Sequence, residues 1–410
     1  MTRTPSPNGH TADTALSRIA KLGDIIREGG DRAQQMRRLP DDTVDALIDA
    51  GLFRFTLPRE LGGEDASVGE TIEVIEAIAA IDASVAWNVM LGSEINAMAA
   101  GGMPRDIAKE VYLDNPRVVM CGGGGPGTTP SKAVAQKDGS FLVSGQATFI
   151  SGCHNAEWFF LAAPILDGDT PRVGADGVPA FKLWFINRTQ FEILDTWDVA
   201  GLRGSGSHDV RVTDARVSER LAQVDLMVTP ALYENPVFRI PVPLRLAYNK
   251  AAVAIGVARG AIDTLVEIAN KKVPMLAVAP LRERPIAQHR MGEAQAKLRA
   301  ARAYLFESMA EVEDELRRGA EAPSGPLTQN ARLACVYAAN ASMEVVDSIH
   351  NTAGTTAMRM FSPLERKLRD AHGCATHRWV SHALYSDLGR ILLGGEPGPE
   401  FAGTGAPQPR

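Results

Sequence analysis

The segments FLVSGQATFISG (141–152), WFFLAAPIL (158–166), FKLWFIN (181–187) and HDVRVTDARV (208–217) decide the fold. Each has the length and alternation of a strand, and the turns Asp138-Gly139-Ser140 and Asp167-Gly168-Asp169 punctuate them. They predict a compact antiparallel β domain, a barrel or sandwich, over residues 117–235. Upstream, residues 12–116 read as a helical domain. In VGETIEVIEAIAAIDASVAWNVM (68–90), Val68, Ile72, Ile75, Ile78 and Ile81 recur at the period of one helix face. LIDAGLFRFTLPRELGG (47–63) adds a helix, a Gly51 stop and a Pro58 to Gly63 turn. Downstream, residues 236–395 return to helix. Residues 242–270 are rich in Ala and Gly, which lets helices approach closely. Met291, Ala294, Leu298, Ala301, Leu305, Met309, Val312 and Leu316 then sustain a bundle seam. GAEAPSGP (319–326) breaks it, and two more helices are expected around 328–350 and 374–393. The reading is an α+β chain ending in a four-helix bundle, with residues 396–410 as a loop-like tail.

Composition narrows the function. The 410 residues suffice for two or three packed domains, and a net charge of -6 argues against a nucleic-acid partner, which needs a basic stripe. Apolar runs are too short to span a bilayer. MTRTPSPNGHTADT (1–14) has no apolar core after its charge and reads as a disordered lead-in, not a secretory signal. Cys121, Cys153, Cys335 and Cys374 are scattered without CxxC spacing, which predicts reduced thiols in a cytoplasm rather than a disulfide framework or zinc site. No HExxH pair, P-loop or glycine-rich dinucleotide fingerprint supports metal chemistry or nicotinamide binding. The turn Gly201-Leu-Arg-Gly-Ser-Gly-Ser207 has the backbone N–H groups and the hydroxyls of Ser205 and Ser207 to cradle an anion. Read alone, Ser151 and Gly152 are a strand-end turn.

The helix–sheet–helix order, together with LIDAGLFRFTLPRELGG, TWDVAGLRGSGSHDVRV (196–212) and MRMFSPLERKLRDAH (358–372), resembles the acyl-CoA dehydrogenase fold. The resemblance implies a bound flavin held against the β domain. Phe149 would pack near its ring, and Ser151, beside Gly152, would hydrogen-bond near N5 and O4. Trp87, Arg203, Ser205 and Ser207 join this cofactor set. Arg282, Arg284 and Gln288 fall where the family places side chains that reach a neighbouring subunit's flavin phosphates, which also implies a homotetramer.

The dehydrogenase chemistry itself lacks its base. In many members a Glu stands nine residues after the Arg of an Arg-Asp pair; here that Arg is Arg369 and the position holds Arg378. The alternative place, on the first bundle helix, holds Leu246. The stretch 131–164 is instead similar to the family's flavin-dependent monooxygenase branch, as is His377, eight residues after Arg369. That branch receives reduced flavin (FMN or FAD) from a separate NAD(P)H-dependent reductase. Oxygen adds at C4a, and the hydroperoxide passes one oxygen atom to a small aromatic or heterocyclic substrate. His377 and Ser151 would be the catalytic partners. Several members also carry a His eight residues after the Trp matched by Trp87; here Ile95 stands there, and the neighbouring Asn96 is the candidate substitute for binding substrate. Two other readings stay open. One is a dehydrogenase or related flavin oxidase with a relocated base, for which Glu94 and Glu157 are the carboxylates to inspect. The other is a non-catalytic homologue whose bundle serves only assembly.

Overall fold

The computed structural model describes residues 14–174, 177, 179–223 and 231–396. The N-terminal lead-in and nearly all of the tail therefore lie outside the described residues. Among the described residues six α-helices come first: α1 (Ala15–Lys21), α2 (Gly23–Met36), α3 (Asp41–Asp49), α4 (Val68–Ile81), α5 (Ala83–Gly102) and α6 (Arg105–Leu113). The long periodic stretch is two helices rather than one. Asp82 adopts extended backbone, and its carboxylate accepts from Val85 N at 2.9 Å, ending α4 and capping α5. Ser67 and Glu70 close a capping box at the start of α4.

Among the described residues ten strands follow: β1 (Met120–Gly122), β2 (Gly125–Pro126), β3 (Lys132–Ala135), β4 (Ser140–Ile150), β5 (Trp158–Asp167), β6 (Thr170–Pro171), β7 (Phe181–Asn187), β8 (Phe191–Leu194), β9 (His208–Ser218) and β10 (Ala222–Gln223). Their order is β10-β7-β5-β3-β4-β9-β8, with β1 and β6 beside β5 and β2 beside β4. The sheet is mixed, which corrects the expectation of a purely antiparallel one. β3 and β4 form a hairpin, and β5 then returns on the far side of β3, so β3 and β5 run parallel. β1 also pairs β5 in parallel. Alternate residues of the strands, among them Phe141, Val143, Phe159, Leu161 and Val210, form a separate apolar core.

The last helices are α7 (Pro236–Arg239), α8 (Val242–Lys271), α9 (Pro285–Arg317), α10 (Gly325–Ala353), α11 (Pro363–Ala375) and α12 (Leu384–Leu392). Of the seam expected from Met291 to Leu316, the residues from Ala294 onward are buried on α9 and Met291 is half-buried. On α8, Gly256 and Gly260 allow the close approach of α4: a Cβ at Gly260 would lie 2.1 Å from Ala80 O. The single helix expected over 374–393 does not form. α11 ends at Ala375, a turn carries residues 376–383, and only Leu384–Leu392 is helical. His377 therefore sits on a turn that bends back towards α5. Among the described residues, no helix is long and apolar enough to cross a membrane.

Candidate active site

The N-terminal part of α5, the turn after β4 and the turn before β9 converge on a short run of hydroxyl groups. Trp87 Nε1 donates to Ser151 Oγ at 3.1 Å. Ser151 Oγ lies 2.6 Å from Ser207 Oγ, which lies 2.7 Å from Ser205 Oγ. Ser205 and Ser207 are buried and Ser151 is half-buried, so this chain of hydroxyls has one open end. Proton order decides what that end offers. With Ser205 donating to Ser207 and Ser207 to Ser151, the Ser151 oxygen accepts from Ser207 and Trp87, and its own hydrogen points outward as a donor.

Backbone bonds fix this arrangement. Gly152 N donates to Ser205 O at 3.0 Å and ties the two turns together. Asn88, next to Trp87 on α5, bonds both of them: its Oδ1 accepts from Asn155 Nδ2 at 2.9 Å and its Nδ2 reaches Gly204 O at 3.4 Å. Gly152 has φ +71, and a Cβ there would lie 3.0 Å from Asn88 Oδ1. α11 clasps the second turn from behind. Asp370 Oδ1 accepts from Leu202 N at 2.7 Å, and Arg369 donates to Ala200 O. Gly201 is required there, because a Cβ would come within 2.1 Å of Arg369 O.

Two aromatic groups flank the open end. Phe149 has φ +61, strained for a bulky residue, and is 65% exposed, with Trp197 edge-on at 5.9 Å. An exposed aromatic on a strained backbone suits a planar ligand better than it suits the fold. On the other side, the His377 ring meets Trp87 at 5.6 Å and 63°. His377 Nδ1 accepts from Trp379 N at 3.4 Å, which leaves the proton on Nε2 and makes that edge a donor. Burial, with the Lys250 and Arg378 cations nearby, pushes the imidazole pKa down to about 3, so the ring is neutral at physiological pH.

The remaining expected site residues are not gathered here. Asn96 is fully buried, and its amide donates to Phe53 O at 2.9 Å and Val118 O at 3.4 Å, so it does not join the hydroxyl chain. The Arg203 guanidinium is turned to Gln34 O, Val199 O and Asp198 rather than into the turn. Arg282 bonds Asn270, and Gln288 donates to Arg282 O at the start of α9; with Arg284 they form a separate exposed group. Neither inspected carboxylate stands free as a base. Glu94 is buried against Lys250 at 2.6 Å and accepts from Asn249 Nδ2 at 2.7 Å, and Glu157 bonds Asn115 at the surface. Sequence reasoning missed Asn88, Asn155, Trp197 and Lys250. Only Lys250 left a signal, as a cation beside the Ala-rich stretch of an otherwise mostly apolar helix face.

Comparison with known proteins agrees with this architecture. The acyl-CoA dehydrogenase N-terminal domain model matches residues 24–113, and the C-terminal domain model matches residues 248–382. An indole-3-acetate monooxygenase of Pseudomonas putida is 30% identical over 93% of this chain and 92% of its own. The flavin-dependent monooxygenase oxygenase subunit HsaA of Mycobacterium tuberculosis is 30% identical over 88% of this chain and 91% of its own. The crystal structure of 3-HSA hydroxylase from Rhodococcus sp. RHA1 superposes with a TM-score of 0.82 at 27% identity, covering 96% of this chain and all of that one. With these two domain matches and these relatives, the chain belongs to the acyl-CoA dehydrogenase family, in its branch of flavin-dependent monooxygenases.

Proposed function

We propose that this protein is the oxygenase component of a two-component system. It takes reduced flavin, as FMN or FAD, from a separate NAD(P)H-dependent reductase and places one atom of O2 on a small aromatic or heterocyclic substrate. The observation that carries the proposal is the hydroxyl chain with its single open end at Ser151, between exposed Phe149 and the Trp87–His377 pair. That donor set fits a flavin, whose ring is planar and whose edge presents a donor beside acceptors. The aromatic substrate class is supported by the relative named for indole-3-acetate.

Phe149, Ser151, Gly152 and Trp87 would hold the ring, with Ser205 and Ser207 relaying protons behind Ser151. Bound reduced flavin supplies the two electrons that let one oxygen atom reach substrate while the other leaves as water. Neutral His377 donates from Nε2 and cannot store a positive charge there, so its task is to orient the transferred oxygen and exclude stray water. Arg282, Arg284 and Gln288 would serve the flavin phosphates of a neighbouring copy in a homotetramer, as the family resemblance implies. Four unpaired cysteines, all buried, support a reducing cytoplasm as its compartment.

The test supplies chemically reduced FMN or FAD, O2 and an aromatic substrate with no nicotinamide present. Oxygenated product is expected. Direct reduction of flavin by NADH on the purified protein would overturn the two-component reading.

A further inference from the structure

The hydroxyl chain at the candidate active site has no fixed proton order of its own. Either oxygen can be the donor in the 2.6 Å contact of Ser151 with Ser207 and in the 2.7 Å contact of Ser207 with Ser205. Trp87 is one-sided: an indole N–H donates and cannot accept, so its 3.1 Å bond makes Ser151 an acceptor on that side in every order. Two orders remain. When hydrogens point from Ser205 to Ser207 to Ser151, the Ser151 hydrogen faces outward. When they point from Ser151 to Ser207 to Ser205, the Ser151 oxygen faces outward as an acceptor, and the Ser205 hydrogen needs an acceptor at the inner end. Ser205 is 1% exposed, so bulk water does not supply one, and a buried donor left unmatched is costly. Ser84 stands at that inner end. It is fully buried on the first turn of α5, ahead of Trp87, and its Oγ has no hydrogen-bond partner among the described residues. It lies over Gly204, the residue before Ser205: a Cβ built on Gly204 would be 3.0 Å from Ser84 Cβ and 3.2 Å from Ser84 Oγ. Asn88 keeps helix and turn in that register, donating to Ser84 O at 2.9 Å and to Gly204 O at 3.4 Å. A buried hydroxyl without a partner, set beside a run of bonded hydroxyls, calls for an explanation.

We propose that Ser84 is the terminal acceptor of a reversible chain, Ser151–Ser207–Ser205–Ser84, whose direction follows the redox state of the flavin. This rests on the placement of the flavin edge at Ser151 proposed above. Oxidised flavin has a bare N5 that takes a hydrogen from Ser151. Reduced flavin has an N5–H, which donates to the Ser151 oxygen once the chain has turned. Each hydroxyl keeps its own hydrogen and only rotates, so no proton is transferred and no charge moves. The last link closes by a change of χ1 between staggered wells at the serine that ends the chain. Ser84 is thus a positioning residue: it never touches the ligand, and it acts by letting Ser151 accept as well as donate.

The experiment measures binding of FMN and FAD, oxidised or dithionite-reduced under argon, by tryptophan fluorescence. The quantity read is the ratio of the oxidised to the reduced dissociation constant. In Ser84→Ala this ratio should fall by about tenfold or more, because the turned chain then strands a buried hydrogen while the outward-donor order is untouched. The midpoint potential of the bound flavin should move about 30 mV more negative for each tenfold. Ser205→Ala should act in the same direction, since it strands the Ser207 hydrogen. The thermal midpoint of flavin-free Ser84→Ala should stay unchanged, as the hydroxyl removed has no partner there. Adding Ser84→Ala to Ser151→Ala should leave the ratio of Ser151→Ala as it is, because the chain no longer reaches the ligand. An unchanged ratio in Ser84→Ala or Ser205→Ala, with both redox states weakened alike, would show a packing role and overturn the proposal. So would additive effects in the double variant. If Ser151→Ala leaves both affinities untouched, the flavin placement fails and this proposal with it. If Ser151→Ala weakens binding while Ser84→Ala keeps the ratio, the reversal alone fails. Oxygenated product is scored separately, so its absence beside a shifted ratio would sink the oxygenase reading and leave the reversal standing.

Discussion

Ser151 takes a hydrogen bond from Trp87 and lies against Ser207, so with Ser207 donating to it, its own hydrogen points outward as a donor. Losing one such bond to a polar group costs about 1–3 kcal/mol. Ser151→Ala should therefore lower the ratio of oxygenated product to hydrogen peroxide by about ten- to a hundredfold; an unchanged ratio removes the role. His377 makes a different prediction. Its folded pKa of about 3 lies below the ordinary imidazole value of 6.5. The sign follows: the unfolded chain binds a proton below 6.5 while the folded protein resists it, so this contribution to stability is complete above 6.5 and drains away as pH falls towards 3. The rate profile of the wild type should show no ionisation attributable to His377 between about pH 5 and 8. His377→Gln, compared by pH-dependent unfolding, should lose that acid sensitivity, and an imidazole titrating near 6.5 by NMR would contradict the assignment. Ser151 and His377 could be singled out from the sequence because each sits at a fixed offset within a family motif. Asn88 and Asn155 were not, since no spacing in the sequence announces that α5 meets two turns more than 60 residues away.

At the scale of elements, the α11 clasp on the 201–207 turn sets the position of Ser205 and Ser207. Asp370 is buried, and burial together with the Asp82 charge pushes its carboxyl pKa up to about 6 from 3.8. Only Oδ1 is needed to accept from Leu202 N. Asp370→Asn keeps an acceptor and removes a buried charge, so stability near neutral pH should hold or rise. Asp370→Ala strands the Leu202 N–H and should cost about 1–3 kcal/mol in urea unfolding. The sign is again fixed: between 3.8 and 6 the folded state holds the extra proton, so wild type gains on Asp370→Asn as pH falls through that window. If Asn and Ala destabilise equally, the clasp is not what Asp370 provides. Element type was well marked where periodicity was long, as in the α9 seam, whose residues from Ala294 to Leu316 are buried as expected. It was poorly marked near residue 375, where the polar run THRWVSHA forms turns that no Gly or Pro announces. The parallel pairing of β3 with β5 was invisible too, because alternation reveals a strand's faces and not its neighbour.

The whole molecule leaves apolar surface that a lone chain has no reason to expose. Met275, Leu276 and Val278 stand almost fully exposed on the loop between α8 and α9, and Met358, Met360 and Phe361 are exposed ahead of α11. Single exposed residues are ordinary, but clusters of this kind mark contact surfaces. Arg282, Arg284 and Gln288 follow directly on the first cluster, and among the described residues Arg282 and Gln288 bond only locally. A copy that covers Leu276 and Val278 would bring these side chains to its own flavin, which joins the assembly and cofactor proposals. The wild type should therefore have four times the 43.9 kDa chain mass by light scattering at micromolar concentration. Replacing both Leu276 and Val278 with Glu places charge in that contact and should release smaller species with unchanged far-ultraviolet circular dichroism. The same variant should bind reduced flavin more weakly by about tenfold or more, since several charge-assisted bonds to phosphate are lost at once. A monomeric wild type would refute the tetramer. A dissociated variant with undiminished flavin affinity would keep the tetramer and remove the part assigned to Arg282, Arg284 and Gln288.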